Sequence, residues 1–499
     1  MLSVVKRSEM DRPSFNTLEF VQRVKPHHIV RDPWLVDPFV KECLEEMLGC
    51  TAVEAFGLYT RSYYTPEGHY HNLWQYDRLY SPRPTDSIFY DAVAHTANTL
   101  RLPRPVEPYS WHRLADVPYI SGSSAGWGYR GKKGDGDNHR LAIKRANAYL
   151  LWWRDNMDGT SNRPYRYHPD LAWTRTQLSD QTSPKIRHVW GKSFENIILE
   201  GITAAPLIDA YRASDSPIVI GLNTFKRLPL IIAQACSGSP NNPMPQYGIG
   251  IDFKSFDSSP QPWLINLAFD ILEQNIHFTE EEQRLSFEYS KYFFIHTPVV
   301  MPDGRLWRKH LGIPSGSYFT QLIGSVVNHI IISYVQLKLY GRTFKTWVLG
   351  DDSLFGIPAE LGLPDLSAMA KLVSPFGFTI HPDKCTVAMN PRDLDFLGHC
   401  ARFARVERED ARLMRMVLYP ELPVIGPAMS MSRVMGAMIG SAMTSLPTLQ
   451  LYRYMCAKYR AILPDDLEFT HSDKDWLVAV VGLPTRHPLL TPSEIFSIT

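Results

Sequence analysis

The stretch Trp347-Val-Leu-Gly-Asp-Asp-Ser-Leu-Phe-Gly356 places two adjacent carboxylates, Asp351 and Asp352, between two apolar runs. The pattern predicts a hairpin with both acids at its tip, because glycine and aspartate favour tight turns. A solvated surface turn would give the same pattern, since acids lie mostly at protein surfaces. A functional site differs from a surface turn in requiring further carboxylates from another part of the chain.

A second pair of acids follows another apolar run, in Tyr247-Gly-Ile-Gly-Ile-Asp-Phe-Lys-Ser-Phe-Asp257. This run predicts a buried strand that ends at Asp252, with Asp257 shortly beyond it. Pro260 predicts the start of a helix that continues to about Gln274, because proline fits the first helical turn. We expect the ends of the two strands to bring their acids together, where carboxylate oxygens suit a divalent cation.

Between the two acidic stretches, Gly312-Ile-Pro-Ser-Gly-Ser-Tyr-Phe-Thr320 predicts a flexible loop that leads into a long apolar helix, from about Tyr318 to Leu339. Polar groups on such a helix need a partner or a function. The candidates in this region are Ser315, Gly316, Thr320 and Asn328. Capping by Ser315 and a core hydrogen bond from Asn328 would be the purely structural explanation.

Two basic segments precede the acids in the chain. In Lys185-Ile-Arg-His-Val-Trp190, a strand would place Lys185 and Arg187 on one face, where the two cations could hold a triphosphate. The loop at 121–135 combines small residues with cations that suit a phosphate backbone. Its candidate template-binding residues are Ser124, Gly126, Arg130, Lys132 and Lys133. A half-exposed strand and a plain flexible loop would explain the same residues.

Composition excludes several classes of protein. The net charge of +1 over 499 residues shows that the molecule is not a polycation, although a channel needs only local positive charge to bind nucleic acid. Six scattered cysteines without a close pair argue against a zinc site or a disulfide scaffold, and favour a reducing compartment. Met1–Arg12 lacks the apolar stretch of a secretory signal. Arg433 and several Gly and Pro residues interrupt Val424–Met443, the most membrane-like segment, so we expect a buried helix there.

Other stretches predict the framework around these residues. Helical patterns occur at 38–48, 87–100, 139–157, 194–213, 364–374 and 446–459. Pro302-Asp-Gly304 between two apolar arms predicts a hairpin. The arginine-rich run at 402–415 is typical of a solvated face.

The order of these features resembles the RNA-dependent RNA polymerases of RNA viruses. Asp252 and Asp257 are similar to palm motif A, the stretch 315–328 to motif B, and 350–352 to motif C. Lys384 and the stretch 396–398 resemble motifs D and E, and Lys185 with Arg187 resembles motif F. The close matches cover roughly residues 185–400. The stretch 123–129 and the Lys-x-Arg-x-Val form of motif F are most similar to partitiviruses, within the partitivirus and picobirnavirus group of double-stranded RNA viruses.

The resemblance implies an α+β fold of the right-hand polymerase type, with fingers, a palm built on a small antiparallel sheet, and a helical thumb. It implies an N-terminal region at 1–110 that bridges fingers and thumb, and fingers at 111–235. The palm is expected at 236–400, with a fingers insertion at about 276–312, and the thumb at 401–499.

The same resemblance implies an RNA-directed RNA polymerase that uses two Mg²⁺ ions, with Mn²⁺ as an alternative. Asp252 and Asp351 are expected to be the bridging ligands, assisted by Asp352. Lys185 and Arg187 would neutralise the triphosphate, and Lys384 would protonate the pyrophosphate. Asp257 and Asn328, with Ser315 or Thr320, would recognise the ribose 2′-hydroxyl, which argues against a reverse transcriptase.

The expected partners are RNA template and product, single- and double-stranded, nucleoside triphosphates and a viral capsid protein, but no membrane. The expected location is the virion interior in the host cytoplasm. Two other functions stay open. A metal-dependent nuclease or phosphohydrolase would explain the paired acids but not the loop and helix of 312–328. A non-catalytic RNA-binding particle protein would explain the basic loops and the abundant aromatic residues, but not the converging acids.

Overall fold

A computed structural model of the protein describes residues 16–27, 35–61, 64–157, 167–175, 177–183, 185–239, 241–469 and 477–499. The stretch Met1–Arg12, for which no secretory signal is expected, lies outside these ranges. Two sheets and one long helix position the functional site, and the remaining elements pack around them.

The smaller of the two sheets carries the acids identified in the sequence. Its strands lie in the order Thr346–Leu349, Asp352–Pro358, Gln246–Ile251, Thr386–Ala388, and all neighbours are antiparallel. The predicted hairpin around Asp351 and the predicted strand that ends before Asp252 are therefore confirmed. Ser353 pairs with Ile251, so the register places Asp352 across from Asp252 at one end of the sheet.

The larger sheet lies next to the basic segment. Its five strands follow the order Leu18–Arg23, Arg305–Lys309, Pro298–Val300, Asp170–Thr174, His188–Gly191. The hairpin predicted at the Pro-Asp-Gly turn is confirmed by the antiparallel pairing across it. The strand predicted from Lys185 begins only at His188, so Lys185 and Arg187 lie just before the ladder. The Arg187 carbonyl nevertheless accepts a hydrogen bond from the Arg175 amide at 2.8 Å.

Helices form where the apolar periodicity predicts them, within about two residues. The α-helices span Pro38–Leu48, Cys50–Glu54, Pro66–Trp74, Ser87–Thr99, Asn138–Met157, Phe194–Ala213, Leu228–Ser237, Pro262–Glu273, Glu281–Ile295, Thr320–Tyr340, Leu366–Val373, Asp410–Leu418, Pro427–Gly440, Leu446–Tyr459 and Pro492–Ile498. The helix expected from Pro260 begins instead at Pro262, again with proline in the first turn. Short two-stranded ribbons join Tyr59–Arg61 to Leu178–Asp180, Gly238–Ser239 to Asn242–Pro243, Cys400–Arg402 to Arg405–Glu407, and Asp466–Glu468 to Arg486–Pro488.

The helix Thr320–Tyr340 forms the centre of the largest core cluster. It is long and apolar enough to cross a bilayer by composition, yet 83% of its most apolar window is buried inside the protein. It ends at Gly341, whose φ of 67° is unfavourable for other residues. The segment that looked most membrane-like in the sequence forms the helix Pro427–Gly440, which is mostly buried, as expected. Both helices therefore serve as core elements.

The N-terminal part of the chain packs on distant elements. Asp37, which caps the helix Pro38–Leu48, accepts a charged hydrogen bond of 2.6 Å from Arg433, and both side chains are buried. Arg61 donates to the Tyr419 carbonyl oxygen at 2.7 Å. On the opposite side, Thr96 bonds His329 of the long helix. These contacts attach the N-terminal region to the C-terminal helices on one side and to the central core on the other.

Candidate active site

A cavity of about 1670 Å³ opens beside the end of the smaller sheet. Its lining combines acids with cations from several separate segments. The acids are Glu67, Asp252, Asp257, Asp351, Asp352 and Asp395. The cations are Arg175, Lys185, Arg187, Lys254, Lys384, Arg408 and Arg412. This is the arrangement needed to bind a charged substrate through cations while presenting carboxylates to a metal.

The acids from the two strands meet at this cavity because of the sheet register. Asp252 follows the strand Gln246–Ile251, and Asp351 lies in the turn that precedes Asp352. Gly350 gives this turn a positive φ of 62°, a conformation that residues with a side chain rarely adopt. The sequence therefore creates a tight turn that projects two carboxylates toward the carboxylate of the neighbouring strand.

The long helix holds this turn through two polar side chains. Ser325 accepts a hydrogen bond from the Gly350 amide at 2.9 Å, and Asn328 donates to the Gly350 carbonyl at 3.1 Å. Asn328 does not line the cavity, and its Oδ1 is buried without a hydrogen-bond partner. The observed contacts of Asn328 thus position the turn that carries Asp351, whereas the sequence suggested a contact with the ribose sensor Asp257.

Asp257 and Ser315 form the other polar pair of the cavity. The Ser315 hydroxyl donates a very short hydrogen bond to Asp257 Oδ2. Burial raises the pKa of Asp257 to about 6, although the hydrogen bond from Ser315 acts in the opposite direction. Thr320 shapes the same loop, since its hydroxyl accepts from the Gly316 amide at 3.3 Å and donates to the Pro314 carbonyl at 2.9 Å. The loop therefore presents Ser315 to Asp257 in a defined position.

Negative charge is concentrated around Asp352. Partial burial, together with the charges of Asp351, Asp395 and Asp252, raises the pKa of Asp352 to about 7, against the effect of Arg187. Burial and the neighbouring cations Arg187 and Lys384 lower the pKa of Lys185, against the effect of Asp252 and Asp351. Acids and cations thus line one cavity within electrostatic reach of each other.

The acids fit a divalent cation by their chemistry. No group of three or more His, Cys, Asp or Glu side chains is already gathered around one point within the described ranges. However, Asp252, Asp351 and Asp352 all reach the same cavity, and their mutual repulsion is apparent in the raised pKa of Asp352. Hard carboxylate oxygens in such a site suit Mg²⁺, which keeps several of its waters.

The predicted template-binding loop lies outside this cavity. Lys133 is buried, donates to the Ser123 hydroxyl at 2.6 Å and lies 6.0 Å from the Phe194 ring centre. Burial lowers the pKa of Lys133 to about 8. Arg130, Lys132 and Ser124 are exposed, and Gly126 packs against the backbone of Lys192 and Ser193. Only part of this loop can therefore contact a nucleic acid directly.

The charged cavity residues that were not identified in the sequence are Glu67, Arg175, Lys254, Asp395, Arg408 and Arg412. Arg408 and Arg412 belong to the run interpreted as a solvated face. Arg412 lies in the helix Asp410–Leu418 and Arg408 lies just before it, so their shared place in the cavity follows from the fold and not from helical spacing. Arg175 and Asp395 stand alone in the sequence. Their position becomes visible only when the strands around them are assembled.

Comparison of the sequence with models of protein families shows which family has this arrangement. The model of the family described as viral RNA-dependent RNA polymerase matches residues 54–456. The chain belongs to this family. The resemblance drawn from the palm motifs is confirmed, and members of the family act with divalent metal ions on RNA templates and nucleoside triphosphates.

The chain is similar over shorter stretches to individual viral proteins named RNA-directed RNA polymerase. The chain is 38% identical to the RNA-directed RNA polymerase of Cryptosporidium parvum virus 1 over 115 residues, which is 22% of this chain and 21% of that protein. It is 28% identical to the polymerase of Atkinsonella hypoxylon virus over 168 residues, 32% of this chain and 24% of that protein. The matched segments thus span only about a fifth to a quarter of these relatives.

Solved structures agree with the polymerase fold. The RNA-dependent RNA polymerase of a human picobirnavirus superposes with a TM-score of 0.63 at 14% identity, covering 85% of this chain and 83% of that one. An insertion-loop deletion mutant of the same polymerase gives a TM-score of 0.63 at 15% identity, with 86% of each chain covered. The predicted α+β right-hand fold is confirmed.

Proposed function

We propose that this protein is the RNA-directed RNA polymerase that replicates and transcribes the genome of a double-stranded RNA virus of the partitivirus type. The observation that carries the proposal is the convergence of Asp252, Asp351 and Asp352 on a cavity that Lys185 and Arg187 also line. Acids alone would serve many metal enzymes. Acids that share a cavity with cations suit a substrate that is both metal-bound and strongly anionic.

In this proposal Asp252 and Asp351 would hold two Mg²⁺ ions, or Mn²⁺ in their place, and Asp352 would assist them. Such ions would supply activation of the attacking 3′-hydroxyl and charge stabilisation of the leaving pyrophosphate. The chain orients these ligands through the sheet register and through the hold of Ser325 and Asn328 on Gly350.

The cations of the cavity would bind the triphosphate. Lys185 and Arg187 neutralise phosphate oxygens, and the planar guanidinium of Arg187 can contact two oxygens together. Lys384 lines the same cavity and lies close enough to affect the pKa of Lys185. We assign to Lys384 the transfer of a proton to the pyrophosphate oxygen, which then leaves with less charge.

Recognition of the sugar would fall to Asp257 and Ser315, which are hydrogen-bonded to each other in the cavity wall. A site built to hydrogen-bond a hydroxyl discriminates against a substrate that lacks it, because the site is left with unpaired polar groups. Gly316 and Thr320 shape the loop. Asn328 contributes indirectly, because its amide holds the Gly350 carbonyl of the motif C turn.

Template and product RNA are the macromolecular partners in this proposal. Exposed Arg130 and Lys132, with Ser124 and Gly126 in the same loop, would contact the template backbone, while buried Lys133 supports the loop from inside. A capsid protein and the virion interior in the host cytoplasm complete the proposal, by analogy with the relatives. The domain boundaries at residues 110, 235 and 400 stay predictions.

The decisive experiment supplies purified protein with Mg²⁺, the four NTPs and either single- or double-stranded RNA, without a primer. The proposal predicts labelled RNA complementary to the template. RNA cleavage that needs no NTPs would instead identify a nuclease. RNA binding without incorporation under Mg²⁺ or Mn²⁺ would identify a non-catalytic RNA-binding protein.

A further inference from the structure

A buried ionic cluster lies directly behind the cavity wall. Glu200 occupies the middle of the helix Phe194–Ala213, where almost every neighbouring side chain is apolar and buried. Only 3% of Glu200 is exposed. A carboxylate in such a place is costly unless it is paired and hydrogen-bonded. Its partners therefore indicate what it stabilises.

The first partner of Glu200 is a lysine that it shares with another acid. Lys192 Nζ lies 3.5 Å from Glu200 Oε1 and 3.2 Å from Asp170 Oδ2, and all three side chains are buried. We call these three residues the Lys192 cluster. Asp170 and Lys192 lie at the ends of two neighbouring strands of the larger sheet, so the cluster joins that sheet to the helix that carries Glu200.

The second partner of Glu200 is the motif B loop. Glu200 Oε2 accepts hydrogen bonds from the Ser317 hydroxyl and from the Tyr318 amide, each at 2.8 Å. One oxygen of the Glu200 carboxylate thus contacts Lys192, and the other accepts hydrogen bonds from two successive residues of the loop. Hydrogen bonds to a charged acceptor are stronger than those between neutral groups.

The same loop is fixed to the strand that follows the basic segment. The Trp190 amide donates to the Ser315 carbonyl at 2.8 Å. A Cβ at Gly316, whose φ is 142°, would overlap the Trp190 carbonyl oxygen, so the two backbones are in direct contact. Ser315, held in this way, is the residue that donates to Asp257.

From these contacts we propose that Glu200 is a positioning residue that sets the preference for ribonucleotides, by holding the 315–318 loop so that Ser315 stays bonded to Asp257. The inference rests on the proposed function, because it deepens the role of Asp257 and Ser315 there. Glu200 itself does not line the cavity and touches no substrate. Its effect passes through Ser317 and Tyr318 to Ser315, two residues away.

The test measures kcat/KM for an NTP and for its 2′-deoxy and 3′-deoxy analogues. Glu200→Gln removes the charge that pairs with Lys192. Ser317→Ala removes the hydrogen bond to Glu200, and with it the hydrogen bond that Ser317 accepts from the Phe319 amide, while leaving the Lys192 cluster intact. We expect each variant to lower the ratio of kcat/KM for NTP over 2′-dNTP, by about 10-fold for Glu200→Gln and about 3-fold for Ser317→Ala, as losses of a charged and a single hydrogen bond. The ratio of NTP over 3′-dNTP should not change.

Glu195→Gln provides a matched control. Glu195 lies on the same helix and is also buried, but its partners are His168, Tyr129 and Ser193, away from the 315–318 loop. We expect Glu195→Gln to leave the NTP over 2′-dNTP ratio at the wild-type value.

Three outcomes are decisive. A lower 2′-deoxy ratio in Glu200→Gln and Ser317→Ala, but not in Glu195→Gln, supports the proposal. Equal loss of kcat/KM for NTP and 2′-dNTP, with an unchanged ratio, overturns it and indicates a purely structural role. Should Glu200→Gln fail to fold, Ser317→Ala decides alone, since it keeps the buried charges paired. A wild-type protein that incorporates no nucleotide contradicts the proposed function instead, so the two failures are distinguishable.

Discussion

Two groups of acids in this protein have opposite surroundings. In the Lys192 cluster, Asp170 and Glu200 are sealed in the interior and share an internal cation. Asp252, Asp351 and Asp352, which we call the catalytic acids after the role proposed for them above, open onto the cavity, where burial and mutual repulsion raise the pKa of Asp352. Breaking a buried ion pair destabilises the fold because it leaves an uncompensated charge, whereas acids that repel one another at a cavity are available to a cation from solution.

The comparison predicts that changing a catalytic acid costs activity and not stability. Asp252→Asn should lower NMP incorporation by at least about 1,000-fold, because a metal ligand contributes several kcal/mol of charge stabilisation in the transition state. Its thermal unfolding temperature should be no lower than that of the wild type, since one repelling charge is removed. A variant that lost both together would contradict the distinction.

The opposite result is expected in the Lys192 cluster. Asp170→Asn should lower the free energy of unfolding by about 3 kcal/mol, because it breaks a buried ion pair. Urea unfolding measures this loss. Asp209→Asn serves as the control, since Asp209 forms an exposed pair with Arg212 at 3.6 Å and should change stability by less than about 0.5 kcal/mol. Equal losses in both variants would mean that the cluster is not a stabilising element.

Asp257 lines the same cavity as the catalytic acids and tests the hydroxyl recognition itself. Asp257→Ala should lower the ratio of kcat/KM for NTP over 2′-dNTP by about 30-fold, because the site loses the hydrogen-bonding group that penalises a missing hydroxyl. Single-nucleotide extension assays measure the ratio. An unchanged ratio would remove Asp257 from sugar recognition.

Metal binding should raise the free energy of unfolding only when the catalytic acids are present. At ten times its Kd, Mg²⁺ adds about 1.4 kcal/mol to the native state, which corresponds to roughly 1–2 °C in a protein of this size. Differential scanning fluorimetry should show this shift for the wild type and not for an Asp252→Asn/Asp351→Asn double variant. A shift that survives in the double variant would place the metal elsewhere.

A further expected effect concerns the pH dependence of stability. The folded-state pKa of Asp352 is raised to about 7, so the folded protein binds more protons than the unfolded chain between about pH 4 and pH 7. In metal-free buffer, the ionised carboxylate therefore becomes increasingly unfavourable as pH rises through this window. Asp352→Asn should gain stability relative to wild type between pH 4 and pH 7, with no further gain above. A constant difference across this range would show that Asp352 is not perturbed.

The sequence predicted the parts of the site that depend on local patterns. The motif C hairpin and the strand before Asp252 follow from alternation and turn residues, and pairing then brings their acids together. The long helix was equally clear from its apolar length. These elements are specified by neighbouring residues, so a single stretch contains the necessary information.

The parts that depend on distant pairing were not predictable. Asp170, Lys192 and Glu200 stand in separate stretches and gain meaning only when two strands and a helix meet. Asn328 was expected at Asp257, but helix geometry directs its amide to Gly350 instead. Lys133 was expected to face RNA, but it packs against Ser123 and Phe194, because sequence composition does not reveal which cation of a basic loop turns inward.

The most direct test of the central claim is template-directed incorporation by Asp351→Asn beside the wild type, with Mg²⁺, NTPs and an RNA template. The account predicts labelled complementary RNA from the wild type and none above background from Asp351→Asn, although both proteins unfold at the same temperature. Full incorporation by a folded Asp351→Asn variant would show that these acids do not carry the polymerase reaction.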